Sequence, residues 1–104
     1  MILHYCIVCI GPPGTVYADQ FYTMKVRTGP SYPDSPPQIY FITRINMPGV
    51  DVHTGAVDSR ILYWSRDMCI MDALCQIREL MKSAPKGLKQ PQGEYPLPQG
   101  FPRT

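Results

Sequence analysis

The sequence predicts an α+β domain in which an antiparallel sheet meander packs on one helix. Three segments, residues 2–10, 21–27 and 38–43, have the β-branched, aromatic or alternating pattern of strands, and Gly- and Pro-rich turns separate them. A later segment, residues 68–83, repeats its apolar side chains at helical spacing instead.

The first segment, ILHYCIVCI, ends abruptly at Gly11-Pro12-Pro13-Gly14, as a strand does on entering a turn. In the second, Tyr22, Met24 and Val26 alternate with Phe21, Thr23, Lys25 and Arg27, which gives one apolar face and one mixed face. Residues 29–37, GPSYPDSPP, lack the backbone donors of a central strand and read as an ordered loop. Residues 38–43 form the third strand, and residues 44–64 are irregular, the kind of segment that carries function in a small domain. In the helical segment Ile70, Leu74, Ile77 and Met81 make the stripe, Ala73 and Leu80 widen it, and Asp72, Gln76 and Lys82 are left for solvent. Asp67 is the expected cap. Two regions follow from this reading: a domain over residues 1–83 and a Pro/Gly-rich C-terminal tail over 84–104, extended and adding little to the core.

At 104 residues and 44% hydrophobic content the chain can enclose one modest core. No apolar run is long enough for a membrane helix, and the N-terminal apolar stretch lacks a basic leader and a small-residue cleavage site, so a cytoplasmic or nuclear location is expected. The net charge of +2 is mild and the Lys and Arg residues are scattered, which argues against nucleic acid as a partner. Cys6, Cys9, Cys69 and Cys75 read as thiols in a reducing compartment.

The order of parts has a further meaning. Gly11 to Pro13, the strand Tyr22 to Val26, the run Tyr32-Pro33-x-x-Pro36-Pro37, the strand and loop Phe41 to Met47, Gly55 to Asp58, Trp64, and Leu74 to Met81 together resemble the ubiquitin-conjugating fold, over nearly everything up to Ser83. The combination of Tyr-Pro-x-x-Pro-Pro with Ile45-Asn46-Met47 and Val57-Asp58 is similar to the inactive variant branch of that family rather than to the active enzymes. The resemblance implies an N-terminal helix before the first strand and, in the active enzymes, later C-terminal helices; neither is expected here, and Asp58 to Trp64 is shorter than the variant branch's usual loop.

In the active family a His-Pro-Asn triplet precedes the nucleophilic cysteine, and its amide assists the chemistry. The matching triplet here is Met47-Pro48-Gly49, and the position of the lost nucleophile falls at Asp58 or Val57. A pseudoenzyme is expected, with no catalytic residue. What the resemblance implies in its place is pairing with an active ubiquitin-conjugating enzyme and orientation of acceptor ubiquitin, for non-degradative polyubiquitin chains that serve DNA-damage tolerance. Orientation alone lowers a barrier without any new acid or base. Cys6 and Val16 match positions where the family contacts acceptor ubiquitin through its apolar patch.

Other residues carry plainer readings. Cys6 and Cys9 form Cys-x-x-Cys, but three residues apart on a strand they point to opposite faces and cannot share a metal, so neither a metal site nor a cofactor is expected. Cys69 and Cys75 are expected as small buried thiols in the helix, Trp64 as a packed side chain, and His53 as a solvated loop residue without a partner for general-base work. Tyr95-Pro96-Leu97-Pro98 could dock on a proline-reading module. The principal rival to the heterodimer subunit is a stand-alone ubiquitin- or peptide-binding adaptor; an active thiol enzyme would need a thioester on one of the four cysteines.

Overall fold

The structure, a computed structural model, describes residues 3–96, the side chain of Leu3 excepted; the expected strand start at residue 2 and the Leu97-Pro98 part of the tail motif lie outside the described residues. Three strands, β1 (Leu3–Ile10), β2 (Phe21–Thr28) and β3 (Gln38–Phe41), are followed by a single 3-10 turn (Ser59–Ile61) and one helix, α1 (Ile70–Ser83). The sheet order is β1-β2-β3, both pairings antiparallel, with Ile10 opposite Phe21 and Val26 opposite Ile39. The α+β meander is as expected. No helix among the described residues is long and apolar enough to cross a membrane.

Alternation along β2 decides which face is covered. Tyr22, Met24 and Val26 are fully buried and meet Ile39 and Phe41 of β3 and Ala73, Ile77 and Met81 of α1 in one core cluster. Tyr17 and Phe41 each meet Tyr22 in a T-shaped arrangement, at centroid separations of 6.1 and 6.2 Å. β3 ends two residues early in a bulge: the amides of Ile42 and Thr43 both donate to the Thr23 carbonyl, at 2.8 and 3.4 Å, and the Thr23 N–H turns to the Thr43 hydroxyl at 3.0 Å.

Three expectations need correction. The helix begins at Ile70 and its cap is Cys69, not Asp67: the Asp72 carboxylate accepts from the Cys69 backbone N–H at 2.8 Å and occupies an otherwise orphaned donor. Cys69 and Cys75 are exposed rather than buried. The buried stripe runs through Ala73, Ile77 and Met81, and Cys75 lies two residues from the first two of these, about 200° around the helix.

The third correction concerns the segment after the helix, which does contribute to the core. Tyr95 is only 4% exposed within the core cluster. Its backbone N–H donates to the Ile42 carbonyl at 2.7 Å, Arg44 donates to the Gly93 carbonyl at 2.9 Å, and Thr43 and Glu94 form an antiparallel bridge. The Tyr95 hydroxyl donates to the Ile45 carbonyl at 3.0 Å, and the Arg44 guanidinium lies 5.1 Å from its ring centroid. One aromatic anchor thus holds a stretch of low hydrophobicity. Replacing Tyr95 with Ala is predicted to lower the unfolding free energy by about 3 to 5 kcal/mol, measured by denaturant titration, where an idle tail would give no change.

The buried hydroxyls of Tyr17 and Tyr22 differ. Tyr17 donates to the Asn46 carbonyl at 2.8 Å, whereas Tyr22 has no hydrogen-bond partner among the described residues. Tyr17→Phe should therefore cost about 1 kcal/mol and Tyr22→Phe should be neutral or stabilising, because the latter removes an unsatisfied group from the interior. Burial, with the neighbouring Tyr22 adding to it, pushes the Tyr17 hydroxyl up to about 12. A group whose neutral form is favoured by folding contributes fully below its unfolded value, so this stability is lost only as pH rises above about 10 towards 12.

Candidate functional site

Residues 44–64 fold into a small hairpin that doubles back on β3. Val50 and Val57 form an antiparallel bridge, Asp51 donates to the Ala56 carbonyl and Gly55 to the Asp51 carbonyl, both at 2.9 Å. The Asp51 carboxylate accepts from the backbone N–H groups of His53 and Thr54, at 2.7 and 3.2 Å, and these donors hold its carboxyl below the ordinary aspartate range. His53 is exposed at this tip, as expected for a solvated loop residue. The returning strand of the hairpin extends the sheet: Phe41 donates to the Gly55 carbonyl at 2.8 Å and Val57 to the Ile39 carbonyl at 2.9 Å.

This return brings Gly49 against Asp58 and Val50 against Val57. The Asp58 backbone N–H donates to the Gly49 carbonyl at 2.8 Å. Gly49 has φ +89°, a backbone conformation that favours glycine, and a Cβ there would lie 2.5 Å from Cδ1 of Ile61, whose side chain would have to shift. Met47 is buried in the core cluster. The Asp58 carboxylate caps the 3-10 turn by accepting from the Arg60 backbone N–H at 2.9 Å, and the Arg60 guanidinium grips both oxygens at 2.9 to 3.2 Å. The guanidinium, seconded by that backbone donor, holds the Asp58 carboxyl below its ordinary value.

The far end of the segment is pinned to the proline-rich loop. Trp64 donates its indole N–H to the Pro33 carbonyl at 2.8 Å, its ring lies 5.7 Å from that of Tyr32, and Arg66 pairs with Asp34 at 2.5 Å. The Tyr32–Pro33 peptide is cis. Trp64 packs partly against the core, as expected. Gln76, expected to face solvent, instead takes both backbone groups of Tyr63: its Oε1 accepts from the N–H and its Nε2 donates to the carbonyl, each at 2.7 Å.

A model of the family described as ubiquitin-conjugating enzyme matches residues 1–95. The chain belongs to the ubiquitin-conjugating enzyme family. It is 36% identical over 87 residues to ubiquitin-conjugating enzyme variant MMS2 of Saccharomyces cerevisiae, covering 80% of this chain and 64% of that protein. Ubiquitin-conjugating enzyme spm2 of Schizosaccharomyces pombe is 33% identical over 87 residues, with 79% and 63% covered. Ubiquitin-conjugating enzyme E2 variant 1B of Arabidopsis thaliana is 36% identical over 87 residues, with 79% and 55% covered. The chain spans less than two thirds of the length of these curated relatives.

Within this family member the cysteines stand away from the hairpin in sequence. Residues 44–68 contain none; Cys6 and Cys9 are on β1, Cys69 caps α1 and Cys75 lies within it. Cys6 is exposed while Cys9 packs partly against the core, the opposite-face arrangement that strand geometry dictates. Burial, opposed by the charge of Arg78, pushes the Cys9 thiol up, which disfavours the thiolate that acts as nucleophile. Val16 follows the Gly-Pro-Pro turn and is half-buried, packed in part against the core.

Sequence reasoning missed the residues that fix the hairpin's base. The Asn46 backbone is held on both sides by the Gln90 side chain, whose Oε1 accepts from its N–H at 3.0 Å and whose Nε2 donates to its carbonyl at 3.2 Å. A lone Tyr in a Pro/Gly-rich stretch was the available signal for an anchor; nothing in the sequence marks Gln90. Gly49→Asn is predicted to destabilise the domain by about 1 to 3 kcal/mol, the cost of a strained backbone position, and the loss would be read as a lowered denaturation midpoint. Arg60→Ala should return the Asp58 carboxyl towards the ordinary aspartate value in an NMR titration. Because the native value is depressed, the linked stability is present at neutral pH and is lost as pH falls through the acid range.

Proposed function

We propose that this chain is a non-catalytic ubiquitin-conjugating enzyme variant that pairs with an active conjugating enzyme and orients acceptor ubiquitin for non-degradative polyubiquitin chain synthesis, of the kind used in DNA-damage tolerance. The observation that carries this reading is the meeting of Gly49 with Val57 and Asp58. The segment that matches the family's nucleophile-bearing loop offers an aliphatic side chain and a carboxylate already gripped by Arg60, and no sulfur. A carboxylate cannot hold ubiquitin as a thioester. The neighbouring Met47-Pro48-Gly49 has no side-chain amide to steady an oxyanion.

Similarity to relatives named as variants supports the same reading. What remains for such a protein is orientation, in which a partner supplies the thioester and this chain supplies a surface. Cys6 on the exposed face of β1 and the outer side of Val16 are the proposed contacts for acceptor ubiquitin.

The test mixes the chain with ubiquitin, activating enzyme, ATP and an active conjugating partner, and follows linkage-specific chains. Chain growth is predicted to rise when this chain is added and to fall about tenfold or more, some 1.4 kcal/mol, for Cys6→Glu or Val16→Glu with the fold intact by circular dichroism. Binding of ubiquitin without any stimulation would instead identify an adaptor, and unchanged synthesis by both variants would remove Cys6 and Val16 from the contact surface.

A further inference from the structure

Among the described residues, five of the seven large apolar side chains left exposed, namely Tyr5, Val8, Ile10, Phe21 and Met71, belong to β1, to the residue facing its end, or to the helix beside it. Val8, Ile10 and Met71 rim a groove of about 240 Å³ between β1 and α1, floored by Ile7, Leu74 and Met81. Solitary exposed apolar residues need no explanation, but here Val8 and Ile10 on one face of β1 and Tyr5 on the other leave both sides of an edge strand apolar.

The edge itself is open. The Gly11 N–H donates to the Gln20 carbonyl at 2.9 Å, and the alternation of an antiparallel ladder then turns the backbone groups of Cys6, Val8 and Ile10 away from β2. Arg78 donates to the Ile10 carbonyl at 3.1 Å; no other described residue bonds to Cys6 or Val8 from that side. The opposite edge of the sheet is closed, since the hairpin bonds to Ile39 and Phe41 of β3. Folded proteins normally blunt such an edge with Lys, Pro or a bulge, and Leu3–Ile10 contains no Lys, Arg, Asp, Glu, Pro or Gly.

That neutrality selects the occupant. A strand that pairs with its own copy sets like residues near like, so charges along it would repel, and an uncharged, β-branched strand escapes this cost. In the whole chain residues 1–10 are the only stretch of eight or more without a charged residue, Gly or Pro, so the segment that best complements this edge is the same strand of another molecule. We infer that β1 pairs antiparallel with β1 of a second copy about a twofold axis, joining the two sheets edge to edge and the two grooves across the seam. The pairing uses the backbone edge of β1, whereas the proposed ubiquitin contact uses the Cys6 side chain on the sheet face.

Light scattering on a size-exclusion column over a range of loading concentrations tests it, together with hydrogen exchange at the Cys6 and Val8 amides. The mass is expected to rise from monomer to dimer with concentration while those two amides become protected. Val8→Pro deletes an N–H that does not serve the β1–β2 ladder, and Val8→Lys sets like charges close together at the seam; both should stay monomeric with unchanged circular dichroism. A monomer at every concentration, a dimer that survives in both variants, growth beyond a dimer, or amides already protected in the dilute monomer would each overturn the inference.

Discussion

Gly55 is where the structure is tied together. Its carbonyl accepts from Phe41 of β3, its backbone sits at φ +78°, and a Cβ on it would lie 2.3 Å from the Phe41 carbonyl oxygen and 2.5 Å from Cδ2 of Tyr95. Three segments distant in sequence, the last strand, the hairpin after it and the stretch that follows the helix, share this one point of contact, and only a residue without a side chain permits it. Tyr95 then reaches past it to the backbone of Ile45, so the entry of the hairpin is fixed by the same ring that packs on Gly55.

From that point the form of the loop follows. With its base held by Tyr95 and Gln90, the chain turns at the Asp51 carboxylate and returns as a fourth line of backbone beside β3, which lays Asp58 against Gly49. The same economy governs Gly49, where Ile61 fills the space a side chain would take. The hairpin is thus a packed element with its polar groups engaged: one carboxylate binds its own backbone, the other binds Arg60, and the imidazole stands in solvent. On the reading proposed for the chain, a loop that serves reaction chemistry in the family is kept for its shape alone.

How much of this could be read from residues alone divides along physical lines. Period-two patterning located β2 and its buried face, and the 3.6 period located α1, because both report burial of a whole face. Contacts made by single residues left no such trace. The cap is Cys69 and not Asp67 because the Asp72 carboxylate three residues inside the helix takes the Cys69 N–H, and Cys75 faces outward by helical phase, about 200° from Ala73 and Ile77, which the general tendency of thiols to be buried does not reveal. The part played by Tyr95 was invisible to composition, which averages one decisive aromatic with its Pro, Gly and Gln neighbours. At the hairpin, the approach of Gly49 to Asp58 was legible only through family resemblance; the side chain that meets Gly49 was not, since Ile61 comes from the turn beyond.

The proposed function holds that this protein orients ubiquitin without a covalent bond to it. Intact-mass spectrometry after incubation with activating enzyme, ATP and ubiquitin, under non-reducing conditions and in the presence of a turning-over partner, addresses that claim directly. The account predicts that the mass of this chain stays unchanged while the partner carries a thiol-labile adduct. A ubiquitin adduct on Cys6, Cys9, Cys69 or Cys75 that disappears on reduction would contradict it.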